Sequence, residues 1–322
     1  MPIISIVIST YNRANMLKIA IESLILQTYP HDKYELIICD NNSRDNTKEV
    51  VEQFIKKNII RISYVFEGRQ GLHFARHTGA RHSTGEILFF TDDDMVADKD
   101  LLVEIIRAFE LDDKVAVVTG KILPRWMIEP PIWVPKLCNN FILSLNDRGD
   151  NIEISNDDLG AFGCHLAIRK DVFYKAGGFN LEVEGEKWLG DGETGLNIKV
   201  KELGFKFAYN GKSVIYHMIP PSRMTQKYLN KRLANQGNTN SYTEYRQRLT
   251  GKIGLYKNII IYFVGIVKQF VKITIKFIMF DYSWRINVAY IFYFLNRIKY
   301  DYRLISDENW KKIVLKNDWL EA

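Results

Sequence analysis

The stretch EILFFTDDDMV, residues 86–96, decides how this chain is read. Ile87 to Phe90 make a short apolar run of the kind that fills a buried strand, and three carboxylates follow at Asp92, Asp93 and Asp94. Adjacent carboxylates repel one another, so packing alone gives no reason to gather them. A divalent cation does: hard oxygen ligands suit Mg2+ or Mn2+, and either ion also holds phosphate oxygens. The position agrees, because ligands of open parallel sheets sit beyond the carboxyl ends of the strands. The competing reading is an acidic turn capping a helix that starts near Asp98, since Asp is favoured in turns and at N-caps.

Outward from this segment, the first 120 residues alternate strand and helix signals. SIVIS precedes the helical pattern NMLKIAIESLILQ, and ELIICD precedes DNTKEVVEQFIKK. RISYVF precedes GLHFARHTGARHS, ILFF precedes DKDLLVEIIRAFE, and VAVVTG closes the series. Short apolar runs between amphipathic helices mark βαβ units. They predict an α/β fold with a mainly parallel, Rossmann-like sheet and helices on both faces. Right-handed crossovers bring the strands' carboxyl ends to one edge. That edge gathers Thr10-Tyr11-Asn12-Arg13, Asp40-Asn41-Asn42-Ser43 and the Asp92–Asp94 cluster, three polar loops that together form a site.

Beyond residue 120 the regular pattern breaks until about 157. PRWMIEPPIWVPK, rich in Pro and Trp, wraps over the sheet or borders an acceptor cleft. GAFGCHLAIRKDVFYKAGGF then reads as a strand, a short helix and a Gly-Gly turn. A helix over 193–203 ends near Gly204, strand KSVIYH leads to His217, and the chain after 221 is mostly helical. At 322 residues, 47% apolar and 25% charged, the chain has globular composition without repeats. Cys39, Cys138 and Cys164 stand in no metal-ligand or paired spacing, which favours a reducing compartment. MPIISIVIS enters a strand directly and carries no secretory signal, so a cytoplasmic location is expected.

Six segments now stand in order: SIVISTYNR, IICDNNSRDNT, GLHFARHTGARHSTGEILFFTDDDM, GAFGCHLAIRKDVFYKAGGF, GDGETGL and YHMIPPSRMT. Together, over roughly residues 3–235, the chain resembles the family-two inverting nucleotide-sugar glycosyltransferases of GT-A-type fold. The resemblance implies that Thr10 and Tyr11 line a nucleotide base pocket, with Arg13 and Asn42 on the same rim. It implies that Asp40 accepts a hydrogen bond from the base's imide N–H, which favours uracil or thymine. Arg76, in the A-R-x-x-G element from Ala75 to Gly79, lies near the nucleotide or diphosphate. Asp92 and Asp94 match the family's DxD, with Asp92 toward ribose or sugar beside Asp93, and Asp94 as direct ligand of Mn2+ or Mg2+. His217 matches a histidine that completes the metal shell in some members. Gly163 and Cys164 border the donor sugar. The structural alternatives are a turn at 10–13, a loop cap at Asp40, a surface helix residue at Arg76 and a packed strand-end imidazole at His217.

Inverting transfer is one in-line displacement at the anomeric carbon, so a carboxylate must take the acceptor hydroxyl's proton. The family usually supplies it as the Asp of an E-D dipeptide three residues before a Leu. Counting back from Leu196 gives Glu193 at that position, Gly192 where Glu is expected, and Asp191 one further back. Glu193 is therefore the first choice of base and Asp191 the alternative. Either carboxylate also suits a helix N-terminus on electrostatic grounds alone.

The net charge of +6 is unevenly placed. Residues 251–322 hold 12 Lys plus Arg against 6 Asp plus Glu, whereas residues 1–250 balance at 32 of each. In NIIIYFVGIVKQFVKITIKFIMF, residues 258–280, Lys268, Lys272 and Lys276 recur every fourth position and share one helical face. The lysines interrupt the ~20 apolar residues that a spanning helix needs. The stretch reads as a basic amphipathic helix lying on an anionic membrane surface, the alternatives being packing on the catalytic part or on a second subunit of a homo-oligomer. Lys and Arg alternating with Ile and Phe are not the pattern of nucleic-acid binding. The expected organisation is a catalytic unit over 1–220 and a basic, aromatic-rich helical region over 221–322, peripheral on the inner face of the cell membrane. A glycan or lipid-linked sugar in surface polysaccharide assembly is then the expected acceptor. Two rivals remain. Asp92 to Val96 also fits the D-x-D-x-[TV] of Mg-dependent aspartyl-phosphate phosphatases with Asp92 as nucleophile, and the Gly192-Glu193 departure suits a non-catalytic scaffold with a decayed nucleotide site.

Overall fold

In the computed structural model, which describes residues 3–138, 140–181, 183–184 and 187–320, one sheet organises the chain. Its strands are β1 (Ile4–Thr10), β2 (Tyr34–Asp40), β3 (Arg61–Phe66), β4 (Ile87–Asp92), β5 (Met95–Ala97), β6 (Val115–Trp126), β7 (Ile152–Ser155) and β8 (Leu166–Arg169), with β11 (Lys206–Ile219). A separate two-stranded pair, β9 (Val183–Glu184) and β10 (Lys187–Trp188), stands apart. The order across the sheet is β3-β2-β1-β4-β8-β6-β11-β5, and β7 also pairs with β11. The strands β3, β2, β1 and β4 are mutually parallel, as are β6 and β11. β8 runs antiparallel between β4 and β6, and β5 and β7 are antiparallel to β11.

Helices cover both faces because the strands are apolar on both. Ile4, Ile6, Ile8, Leu36, Ile38 and Phe89 pack under α1 (Ala14–Ile25), α2 (Thr47–Lys57) and α4 (Leu101–Phe109). The alternate residues Val7, Ile37, Leu88 and Phe90 pack under α3 (Leu72–His82), α6 (Lys170–Lys175) and α7 (Glu193–Glu202). Burying each such side chain contributes about 1.5–3 kcal/mol, so the two layers fix strand order and register together.

Three local features depart from the sequence reading. Regularity extends through Trp126, because residues 121–126 pair with Val214–Ile219 of β11. Pro124 is tolerated there since β8 covers only Val117 and Val118 on the other flank. The short α5 (Trp133–Leu137) follows. Second, α4 starts at Leu101, three residues later than expected, because Asp98 forms a turn in which its carboxylate accepts from Asp100 N–H at 3.0 Å. Third, the C-terminal helices α8 (Gln226–Arg248), α9 (Lys252–Ile278), α10 (Trp284–Ser306) and α11 (Glu308–Val314) include one, α9, long and apolar enough to cross a membrane. Its lysines do not shorten it below spanning length.

Helix α7 ends as expected, with Gly204 at φ +81° just past the last turn. Leu229 and Leu233 of α8 and Ala289 of α10 share a core with Trp133, Val134 and Ile219. Tyr242 of α8, Leu255 of α9 and Tyr300 and Leu304 of α10 enclose Leu181 and Leu189. Thus α8 and α10 border the sheet's carboxyl edge. α9 lies outside them, with Ile260, Ile261, Val264, Val267 and Phe270 exposed.

Candidate active site

Strand register assembles the rim. Thr10 lies opposite Asp40, and Ser9 opposite Asp92, so the parallel strands deliver their polar ends side by side. Asp93 and Asp94 make the turn from β4 into β5. Pairing of Met95 with His217 then sets Asp94 beside the imidazole, and Met218 N–H donates to the Asp94 carbonyl at 2.8 Å.

Cations answer the clustered carboxylates. Arg13 Nη1 donates to Asp93 Oδ1 at 2.9 Å and to Asp94 Oδ2 at 3.2 Å, and Thr10 Oγ1 donates to Asp93 Oδ2 at 2.8 Å. Arg223, six residues after His217, donates from Nη2 to Asp94 Oδ2 at 2.7 Å and from Nη1 to His217 Nε2. Burial pushes the Asp93 carboxyl up to about 6. Burial also raises Asp94, but the guanidinium groups of Arg223 and Arg13 outweigh it and hold that carboxyl well below its usual range.

His217 is buried, and its Nδ1 lies 2.8 Å from the carbonyl of Leu143. A carbonyl only accepts, so Nδ1 carries the proton and Nε2 presents a lone pair. That lone pair is 3.7 Å from Asp94 Oδ1, a buried oxygen with no hydrogen-bond partner. An unsatisfied carboxylate oxygen beside an imidazole lone pair suits a divalent cation. Among the described residues, no three His, Cys, Asp or Glu groups are already gathered as a metal centre.

The second half of the site hangs on Arg76, which is 1% exposed. Its Nη2 donates to Asp92 Oδ1 and to the Gly163 carbonyl, each at 2.9 Å, and its Nη1 to Glu193 Oε1 at 2.6 Å. It is therefore no surface helix residue. A Cβ at position 163 would fall inside contact distance of both Glu193 Oε1 and the Arg76 guanidinium, so any larger residue there would have to push this ion pair aside. Burial works to raise Glu193, but Arg76 overrides it and holds the carboxyl low and ionised. His73 Nε2 lies 4.0 Å from Glu193 Oε2, and burial pushes that imidazole down to about 3, leaving it neutral.

Asp191 differs. Its oxygens accept from Asn180 Nδ2 and from Thr243 Oγ1, each at 2.7 Å, and burial raises its carboxyl. The Cys164 thiol is buried and pushed up by burial, while its carbonyl accepts from Thr91 Oγ1 at 2.9 Å.

Two cavities meet at this centre. One, about 450 Å3, is lined by Thr10, Tyr11, Arg13, Asp93 and Arg223. The other, about 580 Å3, is lined by Arg76, Gly163, Cys164, Asp191 and Glu193, and by Gln236, Asn240, Tyr290 and Tyr293 from α8 and α10. Leu72 and Asp92 belong to both. Asp40 and Asn42 line neither: Asp40 is buried, its oxygens accepting from Ser43 N–H at 2.8 Å and Tyr64 OH at 2.7 Å. Arg223 and His73 escaped sequence reasoning. YHMIPPSRMT held a signal for the first, whereas only the packing of α3 reveals the second.

Residues 5–177, more than half of the chain, match the family described as Glycosyl transferase family 2. The chain is 24% identical over 221 residues to the glucosyl-dolichyl phosphate glucuronosyltransferase of Haloferax volcanii, covering 67% of this chain and 69% of that protein. Other relatives match over about half of their own length or less. Its fold is similar to that of mannosyltransferase PcManGT from Pyrobaculum calidifontis, solved with GDP-Man and Mn2+. The TM-score is 0.55 at 21% identity, over 73% of this chain and 62% of the other. TarS from S. aureus in complex with UDP-GlcNAc gives a TM-score of 0.53 at 15% identity, over 73% of this chain and 66% of that one. The fold is thereby the expected GT-A type.

Proposed function

We propose, on the premise that the chain belongs to glycosyl transferase family 2 and is a glycosyltransferase, that it moves a sugar from a UDP-linked donor to a hydroxyl acceptor with inversion. One observation carries the reading: Arg76 ties Asp92, at the junction of the two cavities, to Glu193 in the larger one. The smaller cavity then takes the nucleotide. Thr10 and Tyr11 border the base, Asp40 would accept the base's imide N–H, and Arg13 faces the phosphates. Asp92 and Asp93 hold the ribose and sugar end, and Gly163 and Cys164 border the donor sugar.

Asp94 and His217 would hold a divalent cation, Mn2+ or Mg2+, and the Mn2+ bound to the mannosyltransferase supports this. When bound, such an ion stabilises negative charge on the departing diphosphate. Glu193 is the base. Held ionised by Arg76, it is ready to accept the acceptor hydroxyl's proton, and its place in the wall of the larger cavity puts it on the acceptor side. Asp191 has both oxygens engaged and braces the start of α7 instead.

The acceptor lies in the larger cavity, whose Gln, Asn and Tyr side chains are suited to sugar hydroxyls. A lipid-linked glycan fits, as the name of the glucosyl-dolichyl phosphate relative supports. The exposed apolar and basic surface of α9 would then place the enzyme on the cytoplasmic membrane surface. Thermal shift with a panel of nucleotide sugars and Mn2+ tests the reading. A UDP-sugar should stabilise the protein only with the metal, and absence of any metal-dependent nucleotide effect would overturn it.

A further inference from the structure

Among the described residues, Arg223 is the one cation at the rim that touches both proposed metal ligands. Its guanidinium donates to Asp94 Oδ2 at 2.7 Å and to the lone pair of His217 Nε2. A positive charge thus already occupies the space between the carboxylate and the imidazole. The fit is incomplete, because Asp94 Oδ1, buried and 3.7 Å from Nε2, keeps no donor. A fork of two N–H groups satisfies two acceptors here, whereas a spherical ion could take the third as well.

The same side chain has somewhere else to go. Arg223 sits in the turn after β11, is 20% exposed, and also lines the smaller cavity with Arg13 and Thr10. That is where the donor's diphosphate lies in the reaction proposed above, on which this inference rests.

We propose that Arg223 has two successive partners: without donor it holds the cation position between Asp94 and His217, and with metal and nucleotide it swings into the smaller cavity to pair with the diphosphate. Metal and nucleotide binding are then coupled. The ion must displace the guanidinium, and the diphosphate rewards the displaced state with a bidentate anion. If Arg223 fills the position about nine-tenths of the time, it lowers the apparent metal affinity about tenfold.

The test uses the full chain and reads free Mn2+ by electron paramagnetic resonance, with and without UDP. Arg223→Gln should bind Mn2+ alone about tenfold more tightly than the wild type, and Arg223→Lys, lacking the fork, should fall between. At saturating Mn2+, Arg223→Gln should bind UDP about tenfold more weakly. Adding His217→Ala to Arg223→Gln should abolish the gain in Mn2+ affinity. Equal Mn2+ affinity in wild type and Arg223→Gln, while UDP still promotes wild-type Mn2+ binding, would overturn the exchange alone. If UDP and Mn2+ do not assist each other in the wild type, the metal-dependent UDP-donor reading itself falls.

Discussion

Gly163 shows how closely the centre is packed. Gly163→Ala would force Arg76 and Glu193 apart, and activity should drop by about 10²-fold, a loss read as kcat at saturating donor. The two acidic residues before Leu196 separate by experiment. Glu193→Gln should keep UDP-sugar binding and lose transfer by about 10²–10⁴-fold, the span of general-base catalysis. Asp191→Asn should instead lower stability by about 1–3 kcal/mol, because its two hydrogen-bonded oxygens are buried. Turnover retained in Glu193→Gln would move the base elsewhere. Short motifs made the rim residues legible, since strand ends and carboxylates lie consecutively in the chain. His73 was not legible, because its relation to Glu193 arises from two helices 120 residues apart in sequence at their closest side chains.

Among elements, the contact of α8 with α10 is the most exacting. A Cβ at Gly237 would run into the backbone carbonyl of Tyr293. Gly237→Ala should therefore destabilise by about 1–3 kcal/mol in urea unfolding, outweighing the ~1 kcal/mol that alanine gains in a helix. α9 has the opposite character, touching α10 through Tyr262 and Gly265 against Phe294 and leaving its outer surface open. At 27 residues it is about 40 Å long. Lys268→Glu with Lys272→Glu should weaken binding to phosphatidylglycerol vesicles, read by co-sedimentation, by about 10³-fold, at ~1 kcal/mol for each charge lost and a like penalty for each charge reversed. Unchanged co-sedimentation would remove the electrostatic role. The four-residue lysine spacing made the helix legible. Its full length was not, because charges on one face hide an apolar run from a reading along the chain.

For the whole molecule, acid sensitivity follows from neutral buried histidines. Burial pushes His73 down to about 3 and His165 to about 4, and holds His77 well below its usual range. The unfolded chain binds these protons near pH 6.5 and the folded one does not, so stability is present above that pH and lost as pH falls. His73 and His165 each contribute a loss of about 2 kcal/mol at pH 5, and His77 acts in the same direction. Asp93 acts in the opposite sense: its carboxyl is raised to about 6, so its protonation in the folded state below pH 6 returns about 1 kcal/mol. The histidines win, and urea midpoints should fall between pH 7 and pH 5; a flat profile would contradict the burial. The alternation of strands and helices in the first half was legible because helix and strand periods alternate cleanly. The antiparallel insertion of β8 was not, since a four-residue strand carries no sign of its direction. Arg76 has a last consequence. A planar ion gripping a carboxylate on either bank works like a cam shaft: jostling by an ill-shaped guest in one chamber turns the grip in the other, so poor acceptors should spoil donor retention as well as rate.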